Sequence, residues 1–150
     1  MLNPIGKVVY GQTKLSAFAI NCRKGLLVPN HNGNIAVFEF IGESGKLETK
    51  AFTTLTDDEL RKLGYINEKS HAEEFGFDWL KNQGIKNDRV VRIYSELEPC
   101  MLGDHKCKQQ IAKKFPDAKV SYSYSFTKHP QVMKKAIEER AKDLNKIIKN

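Results

Sequence analysis

The stretch "SHAEEFGFDWLKNQGIKNDRVVRIYSELEPCMLGDHKC", from Ser70 to Cys107, carries four side chains of the kinds that chemistry at a metal requires. His71 stands two residues before Glu73, Pro99 precedes Cys100, and six residues separate Cys100 from Cys107. One imidazole and two thiolates suit zinc, and three protein ligands leave its fourth position open to water, the mark of a catalytic site. A carboxylate beside such a centre moves protons. Taken singly, each residue has a plainer reading, a polar residue at a helix start or a small buried thiol. The combination is what points to a site.

These residues cooperate only if the chain brings them together. His71 and Glu73 share no face of a regular helix, so they converge only at a site beyond the helix end. Ser70 can cap that helix, with Glu73 in the place of a capping-box acid. Ala72, Phe75, Trp79 and Leu80 form its apolar face, and Gly84 ends it. "RVVRIYSEL" is a strand, Pro99 stops it, and "CKQQIAKKF" is a helix with Ile111 and Phe115 four apart. Ligands of an α/β sheet gather at the carboxyl ends of strands, where helix N-termini point and favour thiolates.

The remaining segments supply the scaffold. Residues 1–13 read as an irregular lead-in with Pro4, Gly6 and Gly11, and residues 14–150 as one domain. Leu15, Phe18, Ala19, Cys22 and Leu26 recur at helical spacing over Lys14–Leu26. "NIAVFEFI" and "KLETKAFTTL" flank "GESG" as a β-hairpin, and "TDDELRKL" is a short helix or turn capped by Thr56. In "AKVSYSYSF", Val120, Tyr122, Tyr124 and Phe126 face one way and Ser121, Ser123 and Ser125 the other. Met133, Ile137, Ala141, Leu144 and Ile148 line a final basic helix. Strands separated by helices imply crossovers, and the expected fold is a three-layer α/β/α domain: a hairpin followed by strands joined through helical crossovers.

The chain of 150 residues is 40% hydrophobic and 29% charged, the balance of an ordinary globular domain. No apolar run approaches the ~20 residues that span a bilayer, and no signal region opens the sequence. A net charge of +7 favours polyanionic partners such as nucleic acid. Three cysteines exclude a complete disulfide framework, and Cys22 reads as a small packed hydrophobe.

"HAE" followed by "PC" and a later Cys resembles the zinc-dependent cytidine-deaminase superfamily, whose signature is H-x-E with P-C-x-x-C. "GNIAVFEF", "SHAEEFGFDWLKNQGI", "RIYSELEPC" and "FPDAKVSYSYSF" look like the nucleic acid deaminase domains of bacterial polymorphic toxins, over roughly Leu15 to Phe126. The resemblance implies a cytidine-deaminase-like fold, one catalytic zinc on His71, Cys100 and Cys107, and Glu73 as the proton-handling residue. It implies substrate contacts at Asn34, Ala72, Glu98 and Pro99, and conversion of cytosine to uracil in nucleic acid, single-stranded DNA first. It further implies an immunity protein as partner, and delivery as part of a larger secreted toxin that acts in the cytoplasm of a target cell. The chain departs from the pattern between its cysteines, where six residues stand in place of two. "MLGDH" is expected to loop out so that the helix starts near Cys107, with His105 a rival ligand. Deamination of a free nucleoside or nucleotide, deamination of adenosine, and a non-catalytic zinc-binding module remain open alternatives.

Overall fold

The computed structural model describes residues 5–24, 34–53, 72–98, 107–125 and 130–149. In chain order these form β1 (Ile5–Lys7), α1 (Lys14–Lys24), β2 (Ile35–Ile41), β3 (Leu47–Thr53), α2 (Ala72–Asn82), β4 (Val90–Leu97), α3 (Cys107–Lys114), β5 (Lys119–Tyr124) and α4 (Pro130–Lys149). The "TDDELRKL" segment and the Ser70 cap lie outside the described residues.

The strands make one mixed sheet in the order β1-β5-β4-β2-β3. Strands β2 and β3 pair antiparallel through the hairpin, β2 pairs antiparallel with β4, and β5 runs parallel to both β4 and β1. Gly45 adopts φ +78° in the hairpin turn, a conformation that costs glycine little. Strand β2 has neighbours on both sides and is buried from Ile35 to Phe40, so its apolar residues run on instead of alternating. Strand β4 ends in five successive buried residues.

Two cores sandwich the sheet. On one face, Phe77 and Leu80 of α2 and Ile111 of α3 pack with Phe38, Ile93 and Phe115. The Phe38 ring meets Phe52, Phe77 and Phe115 edge-on at 5.8, 6.0 and 6.0 Å, a favoured aromatic geometry. On the other face, Ala19 and Ile20 of α1 and Leu144 of α4 pack with Val37 and Tyr94. The three-layer α/β/α expectation therefore holds.

The structure differs from the sequence reading in three places. Residues 1–13 are not wholly irregular: Ile5–Lys7 forms the edge strand beside β5, and Tyr10 is buried. Three residues are too few to show a periodicity, and pairing with β5 supplies their hydrogen bonds. The aromatic row of β5 divides between the faces, with Val120 in the first core and Tyr124 in the second. Tyr124 meets Tyr10 edge-on and donates to Asp143 Oδ2 at 2.6 Å, so its hydroxyl finds a partner on α4. The buried stripe of α4 runs through Ala136, Arg140 and Leu144, with Ile148 exposed, because Arg140 turns inward to a buried carboxylate.

Candidate active site

The topology fixes where the helix starts lie. Helix α2 precedes β4 and α3 follows it, and both pack on the same face of the sheet. A helix that leads into the amino end of β4 must begin near its carboxyl end, and a crossover from β4 to parallel β5 must begin there too. The first residues of α2 and α3 are Ala72 and Cys107, so both helices open at that end of the sheet. The turn closing α2 agrees with this direction: Gly84, at φ +73°, lets Ile85 N donate to Leu80 O at 3.0 Å and hands the chain to β4.

The carboxyl end of β4 is held from both sides. Asn34 Nδ2 donates to Ser95 Oγ at 2.8 Å, and Asn34 Oδ1 accepts from Leu97 N at 3.0 Å. Ser95 Oγ donates to Leu97 O at 2.5 Å, and Glu98 N donates to Tyr124 O at 2.9 Å. Asn34 thus reaches the strand end at which the sequence expects substrate, with its amide joining the start of β2 to the end of β4. Glu98 is half-buried immediately beyond β4. His71, Pro99, Cys100 and His105 lie outside the described residues, as do the side chains of Ala72, Glu73 and Cys107. Helix α3 begins at Cys107, where the spacing argument puts its start.

Beneath the strand end lies a charged network that sequence reasoning missed. Glu96 is fully buried, with Arg23 Nε donating to Oε2 and Arg23 Nη2 to Oε1, both at 2.7 Å. Tyr10 Oη donates to Oε2 at 2.5 Å, Ile35 N to Oε1 at 3.1 Å and Arg140 Nη1 to Oε1 at 3.2 Å. One carboxylate thereby ties the lead-in, α1, β2 and α4 to the last turn of β4. Burial and the adjacent Glu96 push the Tyr10 hydroxyl far above its ordinary value, so it stays a donor. Burial opposes charge on Arg23, but its bonds to Glu96 outweigh that and hold its guanidinium above the ordinary value. Burial pulls Arg140 below its ordinary value despite Glu96. An acid inside the apolar strand "RIYSEL" was the available signal, because an unpaired buried charge is not tolerated. Cys22 packs against this core as expected, and burial raises its thiol.

A model of the family described as Xanthomonas-like deaminase matches residues 32–146. The chain belongs to that family. The matched span contains β2 to β5, both candidate ligand motifs and the strand end held by Asn34 and Glu96. No curated protein and no solved structure matches the chain. As a Xanthomonas-like deaminase, the chain has the α/β fold of the cytidine-deaminase-like superfamily and the domain of a hydrolytic deaminase.

Deaminases of this superfamily are typically zinc-dependent. Among the described residues no group of three His, Cys, Asp or Glu side chains is placed to hold a metal. The donor set offered by the sequence is one nitrogen and two sulfurs, which fits zinc. Two of its members adjoin described helix starts, His71 before α2 and Cys107 at the first residue of α3, and Cys100 follows β4. Helices α2 and α3 begin, and β4 ends, at the same end of the sheet.

Proposed function

We propose that the chain is a zinc-dependent deaminase that converts cytosine to uracil in nucleic acid, with single-stranded DNA the favoured substrate. The observation that carries this reading is the family match over a span containing His71, Glu73 and Cys100, with α2 and α3 opening at the end of β4. His71, Cys100 and Cys107 would hold the metal, which would supply Lewis acidity that brings the pKa of water toward ~7. Glu73 takes a proton from water, delivers it to the base, and assists departure of ammonia. Water and cytosine are consumed, and uracil and ammonia are released. Asn34, Ala72, Glu98 and Pro99 frame the base, and the Asn34 bonds to β4 fix one side of that frame.

The excess of 25 Lys and Arg over 18 Asp and Glu supports a polyanionic substrate over a free nucleoside. In this reading the domain is the effector of a larger secreted toxin that works in the cytoplasm of a target cell, and an immunity protein covers its active site. The test is incubation of zinc-loaded protein with single-stranded DNA, duplex DNA, RNA, free cytidine and adenosine-containing strands, read as base conversion. Cytosine conversion in single-stranded DNA, lost in Glu73→Ala, is expected. Conversion of none of these substrates sinks the deaminase reading, and conversion that survives Glu73→Ala sinks the mechanism.

A further inference from the structure

A cleft of about 460 Å3 opens at the end of the sheet away from the candidate active site, lined by Thr13, Lys14, Arg92, Lys119 and Ser121. Arg92 and Lys119 are direct partners across β4 and β5, near the amino ends of both strands. Like charges placed side by side repel, and no apolar packing gains from either head group. On its other side Arg92 pairs with Glu39 of β2, so a row of Lys119, Arg92 and Glu39 crosses the sheet beneath the first turn of α1.

Glu39 explains how that row is organised. It is fully buried, accepts from Lys14 Nζ at 2.5 Å, and accepts from Arg92 Nη1 through its other oxygen. Burial alone would raise its carboxyl, yet the bonds from Lys14 and Arg92 outweigh burial and hold it below the ordinary value. The two cations it anchors remain 67% and 47% exposed on the cleft wall, and Lys119 is exposed beside them. Three cations against one sequestered carboxylate leave the cleft strongly positive, and the start of α1 at Thr13 and Lys14 adds the positive end of a helix. The Ser121 hydroxyl supplies a neutral donor in the same wall.

We propose that this cleft binds a phosphate group, specifically a backbone phosphate of the nucleic acid that the candidate active site acts on. This rests on the deaminase reading for the identity of the strand, though not for the existence of the cleft. Four residues of β4 separate Arg92 from Leu97, a distance of roughly 17 Å over five steps at strand rise, so the phosphate held here is not that of the reacting nucleotide. It belongs to a flanking part of the strand and sets affinity, not chemistry.

Lys119 is the residue to change, because it takes no part in holding Glu39. The full chain is titrated with a labelled single-stranded oligonucleotide over a salt series, by anisotropy, with thermal melting alongside. Lys119→Gln is expected to weaken binding about threefold to tenfold and to lower the slope of log affinity against log salt by roughly 0.7. Lys119→Glu weakens it further, both variants melt as the wild type does, and inorganic phosphate competes with the oligonucleotide in the wild type only. Wild-type affinity and salt slope in both variants overturn the proposal. Phosphate binding that depends on Lys119, with unchanged oligonucleotide affinity, assigns the cleft to a free anion and overturns it equally. The two readings fail separately. A wild type that converts no base, while Lys119→Glu still loses oligonucleotide affinity, sinks the deaminase and keeps the cleft. Conversion of cytosine in an oligonucleotide that Lys119→Glu binds normally does the reverse.

Discussion

Two buried carboxylates, Glu39 and Glu96, sit in strands that otherwise read as apolar, and each is matched to cations from other elements. Removing one partner of such a cluster costs more than the cluster itself contributes, because the remaining charges keep their desolvation penalty without compensation. Glu96→Ala strands Arg23 and Arg140 in the core, and a loss of about 3–5 kcal/mol in urea denaturation is expected. Arg140→Ala, which leaves the bidentate Arg23 pair intact, should cost clearly less. Equal costs would mean that Glu96 is not the hub. Glu39 carries a pH signature of its own. Its carboxyl is held below the ordinary value of 4.5, so its bonds stabilise the fold above that value and are lost as pH falls through the lower, folded one. Glu39→Gln should therefore cost roughly 1–3 kcal/mol near neutrality, with the gap to wild type closing as pH falls below the ordinary carboxylate range. A gap that persists or widens in acid would contradict this assignment.

Among the elements, α2 is placed by a close approach that its composition hides. A Cβ on Gly76 would lie 2.5 Å from Phe38 Cε1 and 2.8 Å from Cζ. Phe38 is fully buried among three other rings and has nowhere to retreat. Glycine to alanine inside a helix ordinarily stabilises by about 0.5–1 kcal/mol, whereas Gly76→Ala should destabilise by about 1–3 kcal/mol in equilibrium unfolding. A gain would mean that α2 sits further from the sheet. Helix propensity in "EEFGFDWL" does not reveal this, since the obstacle comes from a strand far away in the chain. The same division runs through the rest of the sequence reading. The hairpin, β4, β5 and the helix at Cys107 were legible because apolar periodicity, turn glycines and Pro99 act locally. Strand β1 was not, because its pairing with β5 is made over more than a hundred residues and leaves no local pattern. The motif residues are read from type and spacing alone, while the network beneath β4 depends on which charged side chains turn inward. Arg140, on a helix where Lys134, Lys135, Lys142 and Lys146 face solvent, gave only its place between Ala136 and Leu144 as a hint.

At the scale of the whole molecule, the family match begins at residue 32, yet the structure needs what comes before it. Helix α1 supplies Leu15, Ala19 and Ile20 to the second core, against Ile35, Val37 and Tyr94 of the matched span. Residues 1–24 also supply β1, which occupies one edge of the sheet, and the two side chains, Tyr10 and Arg23, that contribute three of the bonds to Glu96. A fragment of residues 32–150 keeps Arg140 as a cation for Glu96, but at 3.2 Å and through a single nitrogen, and it exposes the part of the second core that α1 covers. Apolar surface on that scale is worth several kcal/mol, comparable with the whole stability of a domain. The fragment is therefore expected to lose fixed side-chain packing, seen as a collapsed near-UV circular dichroism signal and a broad, uncooperative thermal transition. The full chain should show a single cooperative transition under the same conditions. Adding residues 1–31 in trans as a separate peptide should recover part of the near-UV signal, because the surface they bury is continuous and already complementary. A fragment that unfolds cooperatively at the temperature of the full chain would show that the matched span is self-sufficient. Arg23 and Tyr10 would then be accessory to the strand end instead of part of its support.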